Sequence, residues 1–228
     1  MSMPFRRPAA AVAAMLVHAA AAHAQVPQVA PIGGSVRFVV AQPVGEFERY
    51  VKNGWGVGGD FRWFPADQQV VSLRADATYV NYGRRTTREC FGTGCRITID
   101  INTSNNIFSG LVGPELQVPV GPIRPYVNAL AGMTVLWTQS SADGADDGDD
   151  TFRTTNLRDN VFTSALGGGV RIPLGGTAKL DLNARRNFSG RARYLTRDSF
   201  GDGTVTSPTV RESEVEMWTF SIGLAIGR

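Results

Sequence analysis

Few residues in this 228-residue chain are of types and spacings that could do chemistry. Cys90 and Cys95 are its only two cysteines, and they bracket Phe91-Gly92-Thr93-Gly94. In an exported protein, such a pair reads as a disulfide pinching a loop, contributing about 2 kcal/mol through loop-closure entropy. A metal site would want more soft ligands or a histidine, and none is near in sequence. Asp143, Asp146, Asp147, Asp149 and Asp150 form an acidic run. Carboxylates this dense can hold calcium, but the EF-hand spacing is absent, because the third position from Asp143 is Ala145 and the twelfth is Thr154. The run is expected to be a solvated charged loop, with a calcium site as the alternative.

The third set is larger. Arg37, Asp60, Arg62, Arg74, Asp76, Glu115, Arg124, Arg171, Lys179, Asp181 and Arg185 each fall on the polar side of an alternating apolar/polar run. If those sides turn inward, the charges form a paired network, since isolated buried charges are too costly. Catalysis by a Ser-His-Asp triad or a histidine base needs an imidazole, and so does a histidine metal site. The chain has two, His18 and His23, and both lie in its first 24 residues.

Those first residues carry Arg6 and Arg7, an Ala/Val/Met/Leu run from Ala9 to Ala22, and Ala22-His23-Ala24 before Gln25. That is the pattern of a cleaved secretory signal, with the cut expected between Ala24 and Gln25. Because Gln25 is not cysteine, no lipoprotein anchor is expected. Removing Arg6 and Arg7 from the 23 basic residues leaves 21 against 20 acidic ones, a balance that gives no electrostatic footprint for nucleic acid. The mature chain holds no histidine and no apolar run near the roughly 20 residues of a helical membrane span. A membrane location would therefore require a closed barrel.

The elements that position these charges are strands. From Val215 the tail reads VEMWTFSIGLAIGR, with Trp218, Phe220, Ile222, Leu224 and Ile226 at period two and small or weakly polar residues between. Similar runs occur at 34–41, 55–65, 71–79, 112–118, 124–137, 161–174 and 179–188. The segments between them alternate long and short. Gln42–Gly54, Gly83–Asn106, Ser140–Asn160 and Thr196–Ser213 are long and polar, while the turns at Pro65–Gln68, Val120–Ile123 and Gly175–Gly176 are tight. Trp55, Trp63, Tyr79, Trp137 and Trp218 fall near run ends, where membrane barrels place aromatic girdles. The expected fold is an all-β, eight-stranded antiparallel up-and-down transmembrane β-barrel. Residues 1–24 are read as signal, 25–33 as a periplasmic lead and 34–228 as the barrel. Its short turns would be periplasmic and its long loops extracellular. A soluble eight-stranded barrel would reverse the faces, placing the charges outside.

The segment Arg124-Pro125-Tyr126-Val127 with Ala131-Gly132, the run Gly167-Gly168-Gly169-Val170 and the alternating last strand resemble the eight-stranded outer-membrane barrel families, the OmpA-like transmembrane domain and the opacity-type surface proteins. The family's last strand usually ends in an aromatic residue read by the barrel assembly machinery, whereas this one ends in Ile226-Gly227-Arg228. The resemblance implies a non-enzymatic protein of the Gram-negative outer membrane. Such a protein would be structural, or would present its loops to an extracellular ligand, and a narrow passive pore is the alternative. Outer-membrane lipid and the assembly machinery are its expected partners, with no cofactor, no nucleic acid and a monomeric state.

The cysteine pair gives a direct test. In native membranes Cys90 and Cys95 should resist alkylation until a reductant is added, and immediate labelling of both thiols would show them free.

Overall fold

A computed structural model describes residues 31–65, 70–91, 97–118, 120–143, 152–195 and 210–227. The leader with Ala24 and Gln25, Cys95, and Asp146, Asp147, Asp149 and Asp150 lie outside these residues. Eight strands follow one another in chain order: β1 (Ile32–Val44), β2 (Gly54–Trp63), β3 (Val71–Phe91), β4 (Ile97–Gln117), β5 (Arg124–Asp143), β6 (Phe152–Gly175), β7 (Ala178–Tyr194) and β8 (Arg211–Gly227). Each pairs antiparallel with its neighbour, and β1 pairs with β8, so the sheet closes on itself. In the closing seam Val36 lies opposite Leu224 and Phe38 opposite Ile222.

Period-two alternation decides which way each side chain points. On β1, Val36, Phe38 and Val40 are exposed, while Ser35, Arg37 and Val39 between them are buried. On β8, Trp218, Phe220, Ile222, Leu224 and Ile226 all face outward, and Met217, Thr219 and Ala225 face inward. From Trp218 to Ile226 along β8, the outward apolar band runs about 26 Å at ~3.3 Å per residue. With the strand tilt it is comparable to the apolar band, about 25 Å tall, of membrane barrels. Water would not tolerate a continuous belt of this kind around a soluble protein, while the charges it displaces are found inside. The chain is an eight-stranded transmembrane β-barrel.

One rim is made of tight turns. Val120 and Ile123 form an isolated bridge around Gly121 (φ 59°), and Gly175 (φ 131°) and Gly176 (φ 56°) join β6 to β7 in conformations that glycine adopts most readily.

At the other rim the structure differs from the sequence reading, because two of the polar segments expected as loops are mostly strand. Residues expected in the loop Gly83–Asn106 extend β3 to Phe91 and begin β4 at Ile97, and those expected in Ser140–Asn160 extend β5 to Asp143 and begin β6 at Phe152. In β3 the extension Arg84–Glu89 is polar at every position, and at the start of β4 the alternation of Ile97, Ile99 and Ile101 with Thr98, Asp100 and Asn102 is short and set inside a polar segment, so neither extension carries a long apolar run. β1 and β2 are shorter. The pairing of β2 with β3 stops at Trp55–Asn81, and that of β6 with β7 begins at Thr163–Ser189, so β3 to β6 rise past the barrel as a four-stranded sheet. The first strand begins at Ile32, two residues before the expected start of the barrel at Gly34.

Leu182 tests the facing. It points outward, between Val170 and Ile222 in register, near the middle of the band. Leu182→Arg should lower stability by about 2–4 kcal/mol in urea titrations of protein refolded into lipid vesicles. In a soluble barrel the same charge would sit in water, so an unchanged midpoint would contradict the transmembrane reading.

Candidate functional site

The inward faces of β1 to β7 bring most of the sequence-derived charges together in the lower half of the lumen. Asp76 accepts hydrogen bonds from Arg37 (2.6 Å), Arg74 (3.0 Å) and Arg185 (2.8 Å). Asp60 pairs with Arg37 at 3.2 Å, Arg62 at 3.0 Å and Arg74 at 2.9 Å, and also accepts a bond from the Ser35 hydroxyl. Arg74 reaches on to Glu115 at 2.6 Å, and Glu115 meets Arg171 at 2.8 Å. Arg171 lies 3.7 Å from Asp181, whose other oxygen accepts the Tyr126 hydroxyl at 2.6 Å. Every side chain in these ion pairs is at most 5% exposed.

Small residues make room for these long side chains. A Cβ at Gly169 would stand 2.8 Å from the ring of Tyr126, which carries the Arg171 guanidinium 3.9 Å from its centroid. At Gly223 it would stand 2.7 Å from Arg37 Cγ. The glycines of the Gly167–Gly169 run and of the last strand thus leave space for an aromatic ring and an arginine to lie against the inner wall.

Two of the sequence-derived cations stand apart. Lys179 donates to the Gly227 carbonyl, and the half-buried Arg124 lies opposite Arg171 in register. Neither has a carboxylate partner among the described residues. Asp143 ends β5 opposite Asp100, away from this network, and Cys90 lies opposite Thr98 near the tip of the β3–β4 hairpin.

Sequence reasoning missed the upper half of the lumen. It anticipated a polar interior throughout, but above the ion pairs the inner wall turns apolar. Val39, Ala41, Val80, Tyr82, Ile107, Leu136, Val161, Tyr194, Val215 and Met217 form one buried cluster there. Its centre comes from the loop between β1 and β2. A single 3-10 turn, Phe47–Arg49, inserts Phe47 into the cluster, where its ring stands edge-on to Tyr194 at 5.1 Å and tilted against Tyr82 at 6.2 Å. The signal for this layer lay where alternation lapses into apolar pairs, such as Val39-Val40, Ile107-Phe108, Leu136-Trp137 and Val161-Phe162. In each pair one side chain faces lipid and the other the lumen. A hydroxyl chain lies among these layers, with Ser109 to Thr134 at 2.8 Å, Thr134 to Thr163 at 2.7 Å and Thr163 to Ser189 at 2.8 Å.

The void bordered by Thr78, Ile107, Ser109, Arg185, Asn187 and Met217 gives a water's centre about 10 Å³, barely room for one molecule. Chemically the site is a two-layer plug, with ion pairs below and aliphatic and aromatic side chains above.

No family model and no curated protein matches the chain. Among solved structures it is similar to Neisserial surface protein A, at 11% identity over 87% of this chain and 98% of that one, with a TM-score of 0.45. It is similar to the outer membrane protein OprG from Pseudomonas aeruginosa at 13% identity, over 86% and 95% of the two chains (TM-score 0.46). It is also similar to the outer membrane protease OmpT from Escherichia coli at 9% identity, over 86% and 96% (TM-score 0.36). Function is therefore read from the chain's own side chains.

Asp76, like Asp60, is shared by three arginines of the lower layer. Asp76→Ala would leave Arg185 without its only carboxylate among the described residues and take one partner each from Arg37 and Arg74, and should cost about 3–5 kcal/mol, as breaking a buried ion pair does. Urea titration in vesicles checks this, and a loss below about 1 kcal/mol would mean that water already screens these charges.

Proposed function

We propose that this chain is a non-enzymatic barrel of the Gram-negative outer membrane, with a closed lumen and with its function carried by the surface it presents. The observation that supports this reading is the double plug. In the lower layer five arginines and four carboxylates are locked together by ion pairs, and the upper layer is sealed by Phe47 from a loop that folds back into the mouth. A continuous path for ions would have to cross both a charged layer with no room for a water file and an apolar layer that repels ions, which weighs against the narrow-pore alternative.

What projects is the sheet of β3 to β6. Short turns at one rim and long segments at the other are the asymmetry of outer-membrane barrels, which supports a tall rim outside the cell with the Gly121 and Gly175 turns in the periplasm. From Asn81 to Phe91, β3 runs about 33 Å at ~3.3 Å per residue. A platform of that reach suits a structural surface protein, or one that offers strands and loop tips to an adhesive contact or an extracellular ligand.

Both parts of this reading are open to measurement. After separation of inner and outer membranes the protein should be found with the outer ones, and purified protein in planar bilayers should pass no steady current. A stable single-channel conductance would replace the closed plug with a pore, and recovery in the inner-membrane fraction would overturn the location.

A further inference from the structure

On its outer wall the barrel carries a groove of about 800 Å³ at the upper edge of the apolar band, where β1, β2 and β3 run beneath the loop that delivers Phe47. Its floor is the outward face of Phe38, Val57, Trp55 and Tyr79, and its lip carries Lys52 and Arg84. The loop over it is anchored from two sides. Val51 is buried in the lumen cluster, and Tyr50 lies against the Arg211 guanidinium, 5.1 Å from its ring centroid.

The polar groups of the floor are already engaged. Tyr79 donates its hydroxyl to Asn106 at 2.6 Å, and the Asn81 amide donates to Ser104 at 2.8 Å and to Asn106 at 2.9 Å. The two cations are not: both Lys52 and Arg84 are exposed, and neither has a carboxylate partner among the described residues. Two unpaired positive groups thus stand at the water side of an apolar slot that opens to hydrocarbon. The occupant complementary to that slot is apolar along its length and anionic at one end.

We infer that this groove holds a lipid with a net-anionic phosphate headgroup, drawn from the leaflet at the long-segment rim. Its acyl chain would lie along Phe38, Val57 and Trp55, and its phosphate would sit between the ammonium of Lys52 and the guanidinium of Arg84. A guanidinium fork matches phosphate oxygens two at a time, and an ammonium adds a point charge beside it. The inference needs the apolar band to lie in lipid. It does not depend on the lumen being closed, so its failure would leave the proposed function standing.

Bromine on an acyl chain quenches a tryptophan only at close range, and Trp55 lies on the floor. Protein refolded into phosphatidylcholine vesicles should be quenched more strongly by chain-brominated phosphatidic acid than by chain-brominated phosphatidylcholine at equal mole fraction. A preference of about tenfold, which corresponds to 1.4 kcal/mol, is expected. Trp55→Phe should remove the excess quenching, which assigns it to this groove. Lys52→Gln with Arg84→Gln should abolish the preference while leaving the urea midpoint in place, since both side chains are exposed. Where the double variant does not refold, each single variant should lower the preference by itself. Equal quenching by the two lipids, or a preference that survives the double variant, would overturn the inference. Loss of the preference on adding inorganic phosphate at millimolar concentration would show a phosphate site indifferent to the acyl chain, and would overturn the assignment to a lipid.

Discussion

Everything inside this barrel follows from what its outside must be. A belt of Val, Phe, Leu, Ile and Trp side chains faces hydrocarbon, so the period of two sends every intervening residue into a lumen that eight strands make only wide enough for side chains. No bulk water is available there to solvate a charge. The buried arginines of the lower layer pair with carboxylates within and across strands, as Arg74 does with Asp76 on its own strand and with Asp60 and Glu115 on the two neighbouring ones. Such pairs roughly break even against their own desolvation, so the network is a way of filling space without stranded charge rather than a large source of stability. Its dependence on every partner is nevertheless strong. Asp60 and Asp76 each serve three arginines from different strands, and each is the sole carboxylate among the described residues for one of them, Arg62 for Asp60 and Arg185 for Asp76, so the loss of either would leave an unpaired cation in a low-dielectric interior.

The upper layer solves the same packing problem by another route. Where the lumen approaches water, the chain fills it with Leu136, Ile107, Val80 and the ring of Phe47. Burying these against one another needs no charge matching, and it fixes the loop between β1 and β2 to the barrel wall. That fixation also shapes the outer surface, because Tyr50, Lys52 and Asn53 follow directly from the buried turn. An inside contact thereby sets the geometry of an outside groove.

Much of this was legible in the sequence. That Arg37, Asp60, Arg62, Arg74, Asp76, Glu115, Arg171, Asp181 and Arg185 share one face could be read from alternation, and the aromatics at run ends, the segregated long and short loops and the apolar-faced last strand turned that face inward. Which carboxylate would serve which arginine could not, since register depends on strand stagger and not on local pattern. The extent of β3 to β6 beyond the membrane was hidden for a related reason. Thr86 and Ser140 lie in strands with polar neighbours on both sides, and a strand that is polar on both faces looks like a loop. Phe47 was obscured by its setting, being flanked by Glu46, Glu48 and Arg49 in a segment that reads as solvent-exposed.

The seam between β1 and β8 bears on the order in which such a molecule can be made. Val36 meets Leu224 and Gly34 meets Ile226, so the first strand stays unpartnered along one edge until the last has been synthesised. Arg62 on β2 draws on both sides of that seam, donating to the Gly34 carbonyl at 3.2 Å and to that of Ile226 at 3.5 Å. An unclosed sheet in hydrocarbon would expose two rows of unsatisfied amides and carbonyls, each costing several kcal/mol. Vectorial, strand-by-strand entry into the bilayer is thus disfavoured from the N-terminus onward. Pairing of β1 with β8 removes both rows together, which couples closure to insertion.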